Sequence, residues 1–285
     1  MTNSPKVVRT STLAEFKAQG RKIACLTSYD HLTAGIFDRA GVDVLLVGDS
    51  AADNVLGYTS TLPITIQEMI PFGRAVSGAA ERALVVIDMP FGSYEPGPAV
   101  ALENGIKMLK ESGAAAVKLE GGERSFSQIQ ALVEAGIPVM GHIGFTPQSV
   151  NSLGGFKVQG RGDSAEQLVK DAKAVEAAGA FAVVLEMVPA KLAAQVSAEL
   201  RIPTIGIGAG AGCDGQILVW TDFAGLHGGK PRKFVKQYAQ IGQALADAAS
   251  SYVAEVQGQK FPTVENEFEQ SLSSANRWIL ARAKP

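Results

Sequence analysis

The fold is indicated most clearly by the segment Ala114-Ala115-Ala116-Val117-Lys118-Leu119-Glu120, because its pattern recurs along the whole chain. Gly113 precedes the segment, small and branched apolar residues form its body, and a carboxylate ends it. Short runs rich in Val, Ile and Leu are typical of strands buried on both faces, as in a parallel sheet. The residues before it, 98–112, have helical spacing, so a helix leads into this strand.

Eight runs of this kind are spread along the chain, and they lie at 22–28, 42–49, 83–88, 114–120, 137–142, 180–186, 203–208 and 216–220. Segments with helical spacing separate several of them, and glycines stand between a helix and the next strand, where helices commonly end in the left-handed conformation. These glycines are Gly41, Gly113, Gly136 and Gly179. Eight alternating strand and helix units most economically form a closed (β/α)8 barrel of the TIM type, with an open doubly wound sheet as the alternative.

The length of 285 residues leaves the number of domains open, because about 150 residues per domain gives roughly two domains. Barrels of alternating strands and helices reach this length as one domain. We therefore expect a single catalytic barrel over residues 1–264, with a covering N-terminal helix that opens at the capping box Thr12–Glu15 and a C-terminal helical extension. Residues 265–285 are predicted to form a C-terminal tail without chemistry.

Composition excludes several classes of function. Lys and Arg number 26 against 28 Asp and Glu, a net charge of −2, which disfavours nucleic acids and anionic membranes as partners. No apolar run approaches the roughly 18 residues of a membrane span, and the N-terminus lacks the apolar core of a signal peptide. Cys25 and Cys213 predict two reduced thiols, so we expect a soluble cytoplasmic protein.

Polar residues are concentrated where the predicted strands end. In a (β/α)8 barrel the loops after the strands form the active face, so these residues are the candidates for chemistry. They are Asp49, Ser50, Asp88, Lys118, Glu120, His142 and Glu186. Lys118 and Glu120 are two residues apart and share one face of their strand, as Val47 and Asp49 do.

The charge balance of these residues predicts a bound divalent cation. The four carboxylates outnumber the one nearby cation, Lys118, and a buried carboxylate must be paired or bound to a metal. Oxygen ligands favour Mg²⁺, and the absence of His pairs and Cys clusters argues against zinc. A single aspartate could equally be a helix N-cap, but four acids on four strands exceed that explanation.

Other polar and glycine-rich positions carry weaker predictions. His142 stands at a strand end, where a catalytic role and a buried structural role are about equally compatible with its chemistry. His31 and His227 are expected to be surface or loop residues. The run Gly206-Ile207-Gly208-Ala209-Gly210 could cradle a phosphate or could serve a tight turn.

Several long motifs in one order give the chain a clear resemblance to a known family. They are Thr27-Ser28-Tyr29-Asp30, Val47-Gly48-Asp49-Ser50, Ser60-Thr61-Leu62-Pro63-Ile64-Thr65, Asp88-Met89-Pro90-Phe91, Val117-Lys118-Leu119-Glu120-Gly121-Gly122, 141–149, 154–162, 206–210 and Asp214-Gly215-Gln216. From about Thr10 to Glu267 the chain resembles the ketopantoate (3-methyl-2-oxobutanoate) hydroxymethyltransferases.

The resemblance implies a Mg²⁺-dependent barrel with one ion per subunit, which transfers a hydroxymethyl group from 5,10-methylenetetrahydrofolate to 3-methyl-2-oxobutanoate, the first step of pantothenate synthesis, typically as a homodecamer. By matching position, Asp49, Asp88 and Glu120 would be the Mg²⁺ ligands, directly or through water. Asp49, Ser50, Asp88 and Lys118 would contact the keto acid, and Glu186 would be the proton acceptor. His142 would line the site. The segment 142–163, with Lys157 and Arg161, is expected to close over the folate or its glutamate tail.

Two other functions compete with this one. The first is a Mg²⁺-dependent, enolate-forming lyase or mutase of the phosphoenolpyruvate mutase and isocitrate lyase type, although neither Cys25 nor Cys213 lies in a motif like the reactive-cysteine loop of such lyases. The second is a non-catalytic binding or assembly protein on a barrel scaffold, which would require the acids at the strand ends to be vestigial.

Overall fold

Eight parallel strands form a closed barrel in the computed structural model, which describes residues 6–268. The strands β1 to β8 are Ile23–Thr27, Val44–Val47, Leu84–Asp88, Ala116–Glu120, Val139–Gly144, Ala182–Glu186, Thr204–Ile207 and Gly215–Leu218. Each strand pairs in parallel with the next, and β8 pairs with β1. The predicted barrel is confirmed, and the open sheet is wrong because β1 and β8 close the ring.

Helices alternate with most of the strands along the chain, as the sequence predicts. The helices α1 to α10 are Thr10–Ala18, His31–Arg39, Ala51–Asn54, Ile66–Ser77, Pro98–Ser112, Phe126–Glu134, Ser164–Ala177, Ala190–Glu199, Trp220–Phe223 and Ile241–Gln257. The eighth strand ends at Leu218, and Trp220, which was expected to lie in it, begins α9 instead.

The connection between β7 and β8 departs from the predicted repeat, because residues 208–214 contain no helix. Gly208 and Gly210 have φ angles of 65° and 81°, in the left-handed region that favours glycine. A Cβ atom on Gly210 would lie 2.5 Å from Cβ of Ala190. The glycine-rich run therefore forms a tight turn packed against α8. Of the two roles predicted for it, phosphate binding and a tight turn, the geometry supports the turn.

Helix α1 closes the amino-terminal end of the barrel, as predicted. Leu13 and Phe16 of α1 are buried in one apolar cluster with the inward-facing residues of the strands, among them Ile23, Val44, Leu84, Ala182 and Ile205. Lys17 at the end of α1 forms an ion pair of 2.8 Å with Asp214. The carboxyl-terminal end of the barrel is left for the site.

The start of α1 differs from the prediction by three residues, because its N-cap is Arg9 and not Thr12. The helix begins at Thr10, so Thr12 lies inside its first turn and is not the N-cap. The Thr12 hydroxyl accepts a hydrogen bond of 3.1 Å from the backbone N–H of Arg9. Thr12 thus accepts from the residue before the helix, whereas as an N-cap it would accept from the backbone N–H of Glu15.

The chain divides into two compact units, residues 1–238 and residues 239–285. The first unit contains the barrel. In the second unit, the helical extension α10 is followed by a turn that places the ring of Phe261 5.7 Å from the ring of Tyr252 in α10. The predicted boundary at residue 264 stays a prediction, and the predicted tail from 269 onward lies outside the described residues. None of the helices described over residues 6–268 has the length and apolar character that crossing a membrane requires.

Candidate active site

The main cavity of the barrel opens at the carboxyl ends of the strands and has a volume of about 280 Å³. All the residues that sequence analysis selected line it, and these are Asp49, Ser50, Asp88, Lys118, Glu120, His142 and Glu186. Below them the barrel is filled with apolar side chains. The predicted cluster therefore exists as a single polar pocket on an apolar floor.

Strand register explains why most of these side chains meet. Asp88 lies beside Lys118 in the sheet, and Glu120 lies beside His142. Residues two apart on a strand point to the same side, so the inward face of β4 carries Lys118 and then Glu120. Glu186, the last residue of β6, completes the ring.

Asp49 reaches the cavity by a different route from the one predicted. Val47 packs in the outer core, between the strands and the helices, so simple alternation would also place Asp49 on the outside. Strand β2 ends at Val47, and the turn that follows brings Asp49 to the cavity. The inward position belongs to Gly48, where a Cβ atom would lie 2.9 Å from Oγ of Ser50. The backbone N–H of Asp49 donates to Oδ2 of Asp88 at 3.0 Å.

Lys118 is the buried cation of the site. Its Nζ lies 2.8 Å from Oδ1 of Asp88, and its side chain is only 5% exposed. Burial alone would lower the pKa of Lys118, but the charges of Asp88, Glu120 and Asp49 outweigh it and raise the pKa above its usual range. Lys118 is therefore positively charged at neutral pH.

His142 bridges two carboxylates. Its Nδ1 lies 3.4 Å from Oε1 of Glu120, and its Nε2 lies 3.3 Å from Oε2 of Glu186. Burial and the positive charge of Lys118 lower the pKa of His142, but the two carboxylates outweigh them and raise it to about 9. His142 therefore lies within ion-pair distance of Glu186, the predicted base.

The donor set of the cavity fits a hard divalent cation. Burial, followed by repulsion from Asp88 and Glu120, raises the pKa of Asp49 well above its usual range. Oε1 of Glu120 is buried and accepts no hydrogen bond. Over residues 6–268 no three His, Cys, Asp or Glu side chains converge as a complete metal cage. Mg²⁺ does not need one, because it binds through one or two carboxylates and retains several waters.

Sequence analysis missed Gln148 and Tyr94, which lie behind the carboxylates. The Gln148 side chain donates to Oδ2 of Asp49 at 2.9 Å and accepts a hydrogen bond of 2.6 Å from the Tyr94 hydroxyl. Tyr29 was not selected as a candidate either, and its hydroxyl lies 2.8 Å from Oγ of Ser50. These residues follow no strand-end pattern; Tyr29 and Gln148 lie within motifs shared with the family, and Tyr94 lies in none of them.

The mouth of the cavity is formed by Phe156, Arg232 and Phe234. The Arg232 guanidinium lies 4.7 Å from the centre of the Phe156 ring. Lys157 and Arg161, which were expected to face the folate, are exposed and do not line the cavity. His227 is exposed on a loop, as expected, and also lines the mouth, where its Nε2 lies 2.8 Å from Oδ1 of Asn54.

Both cysteines are buried. Burial raises the pKa of Cys25 and of Cys213. A thiol reacts as its thiolate, so neither is suited to act as a nucleophile or as a general acid at neutral pH. A mechanism that depends on a reactive cysteine therefore has no support in this site.

Comparison with known proteins gives a close match in sequence. Residues 7–264 match the model of the family described as ketopantoate hydroxymethyltransferase. A 3-methyl-2-oxobutanoate hydroxymethyltransferase from Leifsonia xyli subsp. xyli is 61% identical over 265 residues, which cover 93% of this chain and 96% of that protein. The protein of the same name from Mycobacterium tuberculosis (strain ATCC 25618 / H37Rv) is 60% identical over 261 residues, covering 92% and 93%.

Solved structures provide a more distant likeness. Phosphonopyruvate hydrolase in complex with oxalate and Mg²⁺ gives a TM-score of 0.58 at 12% identity and covers 98% of this chain and 99% of that one. A 2,3-dimethylmalate lyase, described as a member of the phosphoenolpyruvate mutase and isocitrate lyase superfamily, gives 0.58 at 18% identity and covers 98% and 100%. At these identities the likeness shows the fold alone.

Proposed function

This chain belongs to the ketopantoate hydroxymethyltransferase family, and from that premise we propose that it transfers a hydroxymethyl group from 5,10-methylenetetrahydrofolate to 3-methyl-2-oxobutanoate, forming 2-dehydropantoate in the first step of pantothenate synthesis. The observation that carries the proposal is the convergence of all seven expected residues in one cavity. Curated relatives about 60% identical over nearly the whole chain carry the name of this reaction.

We assign the base to Glu186. Its carboxylate lines the cavity, and its Oε2 lies 3.3 Å from Nε2 of His142. A carboxylate in that position can remove the proton at C3 of the keto acid, which leaves an enolate. The C3 carbon of the enolate then forms a bond to the one-carbon unit of the folate, water supplies the hydroxyl oxygen, and tetrahydrofolate leaves.

The remaining polar residues would bind the keto acid and one Mg²⁺ per subunit. Asp49, Asp88 and Glu120 are the proposed ligands of the ion, directly or through water, and Ser50 and Lys118 join Asp49 and Asp88 in contacting the substrate. Bound there, Mg²⁺ would polarise the keto oxygen and stabilise the negative charge of the enolate. Lys118 balances the carboxylate of the keto acid, because it is buried and positively charged.

We propose that the folate enters at the mouth of the cavity. Phe156, which stacks against Phe145 with ring centres 4.8 Å apart, offers a flat apolar surface to a pterin ring. Lys157 and Arg161 lie outside the cavity and are exposed, so they are suited to the glutamate tail of the folate and not to its ring. The resemblance also leads us to propose a homodecamer that works in the cytoplasm.

The lyase or mutase alternative has support from the fold only. The two neighbours named above are 12% and 18% identical to this chain, and the buried cysteines do not provide the reactive thiol. The complex of phosphonopyruvate hydrolase with Mg²⁺ is consistent with metal use by this fold, but it does not favour carbon–carbon or carbon–phosphorus bond cleavage here.

Deuterium exchange separates the two half-reactions. We expect the protein with Mg²⁺ in D₂O to exchange the C3 hydrogen of 3-methyl-2-oxobutanoate, followed by NMR, and to form 2-dehydropantoate when 5,10-methylenetetrahydrofolate is added. Glu186→Gln should lose both activities, whereas Glu166→Gln, on the exposed face of α7, should lose neither. Exchange at the full rate in Glu186→Gln would exclude Glu186 as the base, and exchange without product formation would favour a lyase.

A further inference from the structure

Gln148 occupies a position that the proposed chemistry does not use. It lies in a 3-10 turn, Pro147–Ser149, directly after β5, and only 5% of the residue is exposed. Its side-chain amide has no role in contacting substrate in the scheme above. A buried amide must satisfy two N–H donors and one carbonyl acceptor, so its partners are informative.

Every polar group of this amide is used. Nε2 donates to Oδ2 of Asp49 at 2.9 Å and to the backbone oxygen of Met89 at 3.0 Å. Oε1 accepts from the Tyr94 hydroxyl at 2.6 Å. The Tyr94 hydroxyl itself accepts from the backbone N–H of Glu120 at 3.2 Å, so its proton is free to point to Gln148. The network fixes the orientation of the amide, because the reversed amide would place its oxygen against two acceptors, Oδ2 of Asp49 and the backbone oxygen of Met89.

The backbone of Gln148 acts on a second carboxylate. Its N–H donates to Oε2 of Glu120 at 3.1 Å. One residue therefore holds one oxygen each of Asp49 and Glu120, and leaves Oδ1 of Asp49 and Oε1 of Glu120 for a cation. Oε1 of Glu120 accepts no hydrogen bond and has Nδ1 of His142, 3.4 Å away, as an ion-pair contact, so it retains lone pairs for a cation.

We propose that Gln148 is a positioning residue for the divalent cation site: it orients Asp49 and Glu120 from behind and thereby sets the affinity of the site. The inference rests on the proposed function, since it concerns the same ion. Groups that hydrogen-bond metal ligands typically contribute about 10- to 100-fold to metal affinity.

Mn²⁺ binding in the absence of substrate tests this inference without reference to activity. Apo protein is titrated with Mn²⁺ and the free ion is measured by electron paramagnetic resonance. We expect Gln148→Met to weaken Mn²⁺ binding by about 10- to 100-fold, and Tyr94→Phe to weaken it in the same direction by less. Gln128→Met is the matched control, because Gln128 is a buried glutamine, 8% exposed, whose side chain contacts Ser127 outside the cavity.

The outcomes are distinct. Wild-type protein that binds no Mn²⁺ would refute the metal site of the proposed function. Wild-type binding together with unchanged affinity in Gln148→Met would refute the positioning role alone. If Gln148→Met does not fold, as judged by circular dichroism, Tyr94→Phe decides, and unchanged affinity in that variant overturns the inference. An equal loss in Gln128→Met would also overturn it, because the effect would then be a general one of removing a buried amide.

Discussion

Replacing Lys118 by Met is expected to destabilise the protein far more than replacing a surface lysine with the same ion-pair distance. Lys118 and Lys173 each form an ion pair of 2.8 Å, with Asp88 and with Glu199. Their side chains are 5% and 59% exposed, so solvent screens only the second pair. Removing one partner of a buried pair leaves a buried charge without compensation and costs about 3–5 kcal/mol. An exposed pair contributes only about 0–1 kcal/mol.

The local charges argue for the upper part of that range in the absence of metal. Without Lys118, no other cation of residues 6–268 lies within ion-pair distance of Asp88, while the carboxylates of Asp49 and Glu120 remain in the same cluster. A bound cation would compensate part of the loss, because a ligand that binds only the folded state stabilises it. The destabilisation of Lys118→Met should therefore shrink as Mg²⁺ is added, whereas that of Lys173→Met should not change.

Urea unfolding at pH 7, with and without Mg²⁺, measures both effects, and Lys173→Met is the control. Isothermal titration with 3-methyl-2-oxobutanoate then reports the second role of Lys118. Loss of a hydrogen bond to a charged group costs about 1.5–3 kcal/mol, so keto acid binding should weaken about 10- to 150-fold. Equal destabilisation of the two variants would refute the reasoning from burial. Unchanged keto acid affinity would refute the pairing of Lys118 with the substrate carboxylate.

Three further predictions test the mouth, the closed end and the wall of the barrel. Arg161→Ala should raise the KM for a polyglutamylated folate more than the KM for the monoglutamate in steady-state assays; equal values for both would remove Arg161 from the folate site. Leu13→Ala, at a fully buried position in α1, should lower the free energy of unfolding by about 2–5 kcal/mol in urea while Mn²⁺ affinity stays unchanged; a smaller loss would mean that α1 does not seal the barrel. Gly141→Ala should lower the melting temperature measured by calorimetry, because the new Cβ would lie 2.4 Å from Cγ1 of Val175. Gly136→Ala is its comparison and should lower the melting temperature less, because a Cβ there meets no atom and only the left-handed φ of 83° opposes it; an equal or larger effect at Gly136 would contradict the packing explanation.

The alternation of residues along strands is what made most of the site predictable. Asp88, Glu120 and Glu186 end their strands on the inward face, and a period of two with a change from apolar to charged residues is visible in the sequence alone. Asp49 was selected as a strand-end residue, and it does follow β2, but its expected alternation with Val47 does not hold, since the strand stops at Val47 and a turn at Gly48 delivers its carboxylate.

The supporting residues could not be predicted, because their partners are distant in the sequence. Gln148 is 99 residues from Asp49 and 54 residues from Tyr94, and only the closed barrel brings the three loops together. The absence of a helix between β7 and β8 has a local cause, the glycine-rich run 206–210, for which the sequence left both a phosphate site and a tight turn open. In a return of so few residues, Gly208 and Gly210 take left-handed angles, and the tight turn replaces the helix.

Because α1 closes one end of the barrel, it constrains the order in which reactants bind and products leave. A barrel sealed at one end by Leu13 and Phe16 is a blind pocket, so every reactant and product passes through the same opening. A small molecule on the floor, among Asp88 and Lys118, must arrive before a large one that covers the opening at Phe156, and must depart after it. The shape of the barrel thus favours ordered binding and release without any conformational change: the small molecule binds first and leaves last, and the large one binds last and leaves first.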